Sequence, residues 1–139
     1  MISFLLLIFT MLNNAPTATL NVEIEGIRND KGHILLAIYE SKTGFPNDPQ
    51  KAIARKRIPA KAGKMTITVE GLAYKKYAFG IIHDENDNQK LDTGLFGIPK
   101  EGFCFSRQAM GTLGPPDYDK AAFDFKAGIE TQKVKVSYW

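Results

Sequence analysis

The chain has 139 residues, of which 44% are hydrophobic and 24% are charged, and its formal net charge is +3. This length and balance are typical of one globular domain built around a single core. Because the Lys and Arg residues are dispersed, with no basic block among aromatic residues, the sequence gives little support to nucleic-acid binding.

The start of the chain has the character of an export signal. Ile2 to Leu12 is almost wholly apolar, which suits the hydrophobic core of a signal peptide and is too short to span a bilayer. No Lys or Arg precedes this run, and the alternative is a buried first strand or helix. We predict a signal peptide at 1–18, a mature domain at 19–139 that does not span the membrane, and export to the periplasm or the extracellular space.

Alternating apolar and polar residues predict several short strands. Thr19 to Gly26 alternates, and His33 to Glu40 is nearly continuous in apolar residues, as in a central strand. With turn residues between them, these two segments are expected to pair as a hairpin. Ala52 to Ile58 suits a strand better than a short helix, because Pro59 and a glycine turn follow it. Further strands are expected at Met65–Glu70, Lys76–His83, Ala121–Lys126 and Thr131–Tyr138.

About seven short strands, separated by turns and without a long helix, predict an all-β fold, an antiparallel β-sandwich. Phe45 lies in a loop rich in Gly and Pro and is expected to tuck beneath it. Since Cys104 is the only cysteine, no internal disulfide can form, and core packing has to hold the sandwich together.

The long connection from His83 to Phe105 is the most distinctive stretch. It begins with a dense run of Asp and Asn and ends with glycine and aromatic residues. Alternate positions near its start match the oxygen ligands that Ca²⁺ prefers, namely carboxylates, amides and main-chain carbonyls. The predicted ligands are Asp84, Asn86, Asn88, Lys90 through its carbonyl oxygen, and Asp92.

The match to the calcium loop of an EF-hand is partial. Gln89 stands where a Gly normally makes the sharp turn, and Leu95 stands where a bidentate Glu is usual, so a remote ligand is missing. The alternative is a set of turns in which Asp and Asn side chains bond to their own backbone. Four acids lie in this loop with Lys90 as its one basic residue, and a cation or solvent has to screen their repulsion.

A second candidate site is an aromatic surface in the loop half of the chain. Such rings could stack on a glycan or a partner protein, unless they anchor long loops to the core, which is the commoner role of Phe. The residues are Phe96, Phe103, Phe105 and Tyr118.

An enzyme hypothesis rests on His83 beside neighbouring carboxylates. No nucleophile-elbow motif surrounds Ser106 or Cys104, and no zinc-type pairing of His residues is present. Cys104, between two Phe residues, is interpreted as a buried apolar residue, and Lys100-Glu101 as a surface pair. We therefore expect a non-catalytic protein, with a cell-envelope enzyme or accessory subunit that uses His83 as the alternative.

Three segments carry a family likeness: GFPNDPQKAIA, HDENDNQKLDTGLFGIPKEGFCFS and GPPDYDKAAF. In order and spacing they resemble a bacterial family known only as domain of unknown function 2141, over about Leu20 to Val136. The resemblance implies a small exported β protein with an Ig-like or transthyretin-like sandwich, and implies no activity or substrate. The chain departs from the family pattern at Gln89, Cys104 and Arg107-Gln108, where a small residue, Gly and Asn are typical.

Together these observations predict an exported, non-catalytic β-sandwich that binds an envelope protein or a glycan through its loop end. Ca²⁺ is expected to stabilise the loop from Asp84 to Asp92. A structural envelope protein, in which this loop is only a turn, is the third possibility.

Overall fold

A computed structural model describes residues 16–126 and 128–139 of the chain. The predicted signal peptide at 1–18 therefore lies outside the described residues, apart from its end at 16–18. Two β-sheets enclose the main core. The described strands are β1 (Thr17–Ile27), β2 (His33–Tyr39), β3 (Ala54–Pro59), β4 (Gly63–Ala73), β5 (Lys75–Asp84), β6 (Gly102–Phe105), β7 (Phe123–Phe125) and β8 (Ile129–Lys135).

The helical segments in the described part of the chain are short. Single 3₁₀ turns lie at Pro49–Lys51, Leu95–Gly97 and Ser106–Gln108, and the one-turn helix α1 covers Tyr118–Ala121. In the part of the chain that the structure describes, no helix is long and apolar enough to cross a bilayer.

The two sheets have different sizes and edges. The smaller has the order β4-β1-β8, with β1 antiparallel to β4 and parallel to β8. The larger has the order β3-β2-β5-β6, and β7 pairs with the first residues of β5. Every pairing in the larger sheet is antiparallel. The predicted all-β sandwich is confirmed, and among the described strands the pairing of β1 and β8 is the one parallel step.

The main core lies between the sheets and consists largely of the apolar side chains that alternate with polar ones along the strands. Alternate side chains of each strand point inward because successive residues of a strand face opposite sides of the sheet. The smaller sheet contributes Leu20, Val22 and Ile24 from β1, and the larger contributes Ile34, Leu36, Ile38, Tyr77, Phe79 and Ile81 from β2 and β5. The strands predicted at Thr19–Gly26 and Lys76–His83 are confirmed as parts of β1 and β5.

The predicted hairpin of the first two strands is wrong. β1 and β2 belong to different sheets, and the connection between Ile27 and His33 crosses from one sheet to the other. The Asn, Asp and Gly residues there permit a sharp change of direction but do not specify which strand lies alongside. β2 is apolar on both faces and occupies the predicted central position, between β3 and β5.

The strand β6 lies inside the connection predicted as a loop. All four of its residues are buried, so it lacks the alternation that marks a half-exposed strand. Cys104 joins the main core, whereas Phe103 and Phe105 face the other side of the sheet.

A second apolar cluster covers part of that outer face. It contains Ala78, Phe103, Phe105, Ala121 and Ala122, with Phe45, Leu91, Ala109 and Tyr118 packed against it. The ring of Phe45 lies edge-on to three aromatic rings, at centroid distances of 5.4 to 6.1 Å. The prediction that Phe45 tucks beneath its loop is confirmed.

Candidate functional site

The acidic loop begins at the last residue of β5. Asp84 is completely buried, and its carboxylate accepts hydrogen bonds from the backbone N–H groups of Asn88, at 3.2 Å, and Gln89, at 2.8 Å. Asp87 and Gln89 adopt left-handed backbone conformations, with φ of 57° and 63°. The chain therefore turns sharply at Gln89, the position at which an EF-hand type of loop usually has Gly.

The side chains of the loop converge on Asp92. The Asn86 amide donates to one carboxylate oxygen of Asp92 at 2.5 Å, and the Asn88 amide donates to the other at 2.6 Å. The Oδ1 atoms of Asn86 and Asn88 accept the backbone N–H groups of Asn88 and Lys90. The structure thus brings three of the five predicted ligands together, while Asp84 and Lys90 contribute to the turn that carries them.

Glu101 completes this cluster, although no sequence pattern marked it as a site residue. It is 5% exposed, and its two carboxylate oxygens accept the backbone N–H groups of Asp92, at 3.1 Å, and Glu85, at 2.6 Å. The interpretation of Lys100-Glu101 as a surface pair is wrong, because Glu101 ties the two ends of the loop together. Its position before the unrecognised strand β6 was the signal that could have revealed its burial.

The ionisation of the two carboxylates differs. Burial raises the pKa of Glu101 above its usual value, and the nearby Asp92 carboxylate adds to that rise. Hydrogen bonds from Asn88 and then Asn86 lower the pKa of Asp92. Two carboxylates with opposite shifts share this corner of the loop, so the Asp92 charge is held in place beside a carboxyl that ionises less readily.

Basic residues from other elements balance two of the loop acids. Glu85 accepts hydrogen bonds from Arg28, at 3.0 Å from Nε, and from Asn29, at 2.9 Å. Burial by itself would raise the pKa of Glu85, but these hydrogen bonds outweigh it and lower the pKa. Asp87 lies 2.5 Å from Nδ1 of His33 and 3.4 Å from Arg57. The repulsion expected among the four acids is thus partly relieved by residues far away in sequence.

The groups of the loop that could bind a metal ion are of two kinds, carboxylates and amides. Within residues 16–126 and 128–139, no group of three or more His, Cys, Asp or Glu side chains is placed to hold a metal ion. A cation at this corner would need the amide oxygens of Asn86 and Asn88 beside the carboxylates of Asp92 and Glu101. Each Asn side-chain amide has an N–H end and an oxygen end. The N–H ends face Asp92, and rotation of an amide would bring its oxygen to this corner instead.

His83 has a structural place in the fold. It is completely buried, with Nδ1 2.7 Å from the Tyr138 hydroxyl and Nε2 2.7 Å from the Lys31 carbonyl oxygen. Because a carbonyl only accepts, Nε2 carries a hydrogen and donates it to Lys31. The Tyr138 hydroxyl also accepts the backbone N–H of Arg28. The two ring nitrogens therefore link the end of β5 to Tyr138 and to the connection between β1 and β2.

The two nucleophile candidates are also engaged in packing. Burial raises the pKa of the Cys104 thiol to about 12, so the reactive thiolate is disfavoured. The buried Ser106 hydroxyl accepts the Phe79 N–H at 3.0 Å and donates to the Ala121 carbonyl at 2.6 Å. None of the described hydrogen bonds joins either residue to His83.

The four aromatic residues of the predicted surface do not form one face. Phe103 and Phe105 are buried, and the half-buried Tyr118 donates its hydroxyl to the Lys76 carbonyl. Phe96 is 98% exposed, at the tip of the turn between β5 and β6. Three of the rings anchor loops to the sheet, and Phe96 is separate from them.

A groove lies beside the acidic loop, on the outer face of the larger sheet. Its volume is about 620 Å³. Residues of β2, β3, β5 and β6 line it, together with Pro46 and Pro49 from one loop and Gln89 to Leu91 from the other. The end of the acidic loop is therefore also a wall of this groove.

Comparison with known proteins gives one match. A family model described as "Uncharacterized protein conserved in bacteria (DUF2141)" matches residues 22–133. The matched span begins within β1 and ends within β8, so it includes both sheets and the acidic loop. No curated protein and no solved structure matches the chain.

Proposed function

Because the chain belongs to the DUF2141 family of uncharacterized bacterial proteins, whose description carries no activity, we propose a function from its geometry. The protein is an exported, non-catalytic binding module, and Ca²⁺ holds its 84–92 loop in a fixed shape. The loop in turn supplies one wall of the groove on the larger sheet. An envelope protein or a glycan remains the class of partner expected at the loop end.

The observation that carries this proposal is the convergence of amide and carboxylate side chains on one corner of the loop. The amides face Asp92 with their N–H ends, and rotation of each amide would turn its oxygen toward a cation. Asn86 and Asn88 both contact the Asp92 carboxylate, and Glu101 lies against the backbone of Asp92. Ca²⁺ takes six to eight oxygen ligands from such groups and from water. Glu101 supplies the remote carboxylate that the loop sequence lacks. Asp84 and the backbone of Lys90 support the turn that carries these groups.

The composition of this site predicts weak binding. Two of the ligands are neutral amides, and a residue other than Gly makes the turn at Gln89. Low ligand charge and a strained turn place the dissociation constant in the range of extracellular modules, about 10⁻⁴ to 10⁻³ M. Export, which the apolar run from Ile2 to Leu12 supports, is consistent with a site of this strength.

We expect Ca²⁺ to raise the melting temperature of the protein. At a concentration one hundred times the dissociation constant, one bound ion stabilises the folded state by about 2.7 kcal/mol. Asp92→Asn should abolish the rise, because it removes the charge on which the two amides converge. Differential scanning calorimetry with Ca²⁺ and with a chelator measures the effect.

Asp87→Asn is the matched control. It removes one acid from the same loop, but the Asp87 carboxylate faces His33 and Arg57 and lies outside the cluster. This variant should keep the response to Ca²⁺. Identical melting curves of the unmodified protein with Ca²⁺ and with chelator would overturn the proposal, as would an equal loss of the response in both variants.

The hydrogen bonds of His83 support the non-catalytic part of the proposal. A general base needs a free nitrogen within reach of a substrate proton. Both nitrogens of His83 are occupied, and the ring is completely buried. The alternative of an envelope enzyme that uses His83 has no comparable support in the described contacts.

A further inference from the structure

The floor of the groove is apolar because the outer faces of two central strands are uncharged there. Leu35 and Ala37 of β2 and Ile82 of β5 point away from the main core, and Gly80 lies between them. A Cβ atom on Gly80 would be 3.6 Å from the Phe105 ring and 4.0 Å from Pro46. The missing side chain of Gly80 therefore leaves a narrow slot, with room for about one methyl group, between Phe105 and Pro46.

One side of the groove is basic. Arg55 and Arg57 of β3 lie directly opposite Ala37 and Leu35 in the sheet, so both guanidinium groups border the apolar floor. Lys90 also lines the groove. No Asp or Glu is among the described residues that line the groove.

The described acidic residues neutralise little of the charge of Arg55 and Arg57. Among the residues that the structure describes, Arg55 forms no ion pair, and Arg57 has one contact of 3.4 Å with Asp87. The side chains of Arg57 and Asp87 are about half exposed, and a pair of this kind contributes little energy. Arg55 and Arg57 are therefore available to an anion that enters the groove.

An apolar floor beside two guanidinium groups fits a ligand that has an apolar part and an anionic part. A glycan would need many hydrogen-bonding groups or an open aromatic platform, and the rings of Phe103 and Phe105 are each only 8% exposed. The volume of about 620 Å³ lies within the usual range for small-molecule sites, about 300–1,000 Å³. We propose that the groove binds a single-chain carboxylate amphiphile, a free fatty acid, with its chain along the floor and its carboxylate at Arg55 and Arg57.

The test is a titration with decanoate below its micelle concentration, followed by methyl NMR of the unmodified protein. Shifts should concentrate on the methyl groups of Leu35, Ile82 and Leu91. Decyltrimethylammonium has the same chain length and the opposite charge, and it should bind at least tenfold more weakly. The double variant Arg55→Gln/Arg57→Gln should weaken decanoate binding at least tenfold.

Two further variants make the result specific. Lys61→Gln/Lys120→Gln removes the same charge from exposed positions outside the groove and should leave the affinity unchanged. Gly80→Leu should fill the slot and block binding without altering either arginine. Absence of binding, equal binding of both amphiphiles, or an equal loss in the Lys61/Lys120 control would each overturn the proposal.

The inference depends on the proposed function only in that the acidic loop forms one wall of the groove. Melting curves recorded with Ca²⁺ and with a chelator, in the absence of decanoate, separate the two, because Ca²⁺ precipitates decanoate. Decanoate binding without any Ca²⁺ response would reject the cation site and support the groove. A Ca²⁺ response without decanoate binding would reject the groove and leave the cation site standing.

Discussion

Replacing Asp84 by alanine is expected to lower the free energy of unfolding by about 3 kcal/mol, because two N–H groups lose a charged acceptor. The carboxylate is completely buried at the end of β5 and accepts the backbone N–H groups of Asn88 and Gln89. Without it, the turn that carries Asn86 and Asn88 toward Asp92 loses its support. The variant should therefore also lose the response to Ca²⁺. Urea denaturation with and without Ca²⁺ measures both effects.

Asp87→Ala is the control for this prediction. Asp87 belongs to the same loop, but its side chain is about half exposed and faces His33 and Arg57. Its loss should be smaller, and the Ca²⁺ response should persist. If Asp84→Ala destabilises the protein no more than Asp87→Ala does, Asp84 does not organise the loop.

Gly32→Ala is expected to have a still larger effect, a loss of about 4 kcal/mol from backbone strain and steric overlap together. Gly32 has a φ of +62°, which side chains rarely adopt. A Cβ atom there would lie 1.9 Å from the carbonyl oxygen of Asp84 and 2.9 Å from the carbonyl carbon of Glu85. Both obstacles belong to the backbone, so relief requires β5 to move away just where the acidic loop begins. Thermal or urea unfolding measures the loss.

Gly71→Ala separates strain from overlap. Gly71 has a similar φ of +73°, but a Cβ atom added there would meet nothing within 4 Å. Strain alone should therefore lower the free energy of unfolding by about 1 kcal/mol. Gly32→Ala should also weaken the response to Ca²⁺, whereas Gly71→Ala should not. Equal losses in the two variants would show that the close approach of Gly32 to Asp84 does not limit the fold.

Several features of the fold could be predicted because they are recorded in short stretches of sequence. The alternation in β1 and β5 identified the side chains that enter the main core, and the apolar run of β2 identified a central strand. The polarity change after His83 located the acidic loop, and the setting of Phe45 among Gly and Pro residues identified it as the anchor of its own loop. Each of these features depends on which neighbouring residues are buried. The order of apolar and polar residues along the sequence indicates that burial directly.

The features that could not be predicted depend on contacts between distant residues. β6 has no alternation because both of its faces are covered, by the main core on one side and by the second cluster on the other. Because β6 was not recognised in the sequence, Glu101, which directly precedes it, resembled a surface residue. The guanidinium and imidazole groups that balance Glu85 and Asp87 come from residues more than twenty-five positions earlier in the chain.

By itself, the sequence determined most of the strands and the place of the oxygen-rich loop, but not β6. The tertiary structure decided that β1 and β2 belong to different sheets, that Glu101 closes the loop, and that Arg55 and Arg57 border an apolar groove. The physical reason is that periodicity is a local property, set by which side of a strand meets water. Which strands lie side by side depends on how all the apolar faces cover one another at once, and no short stretch contains that information.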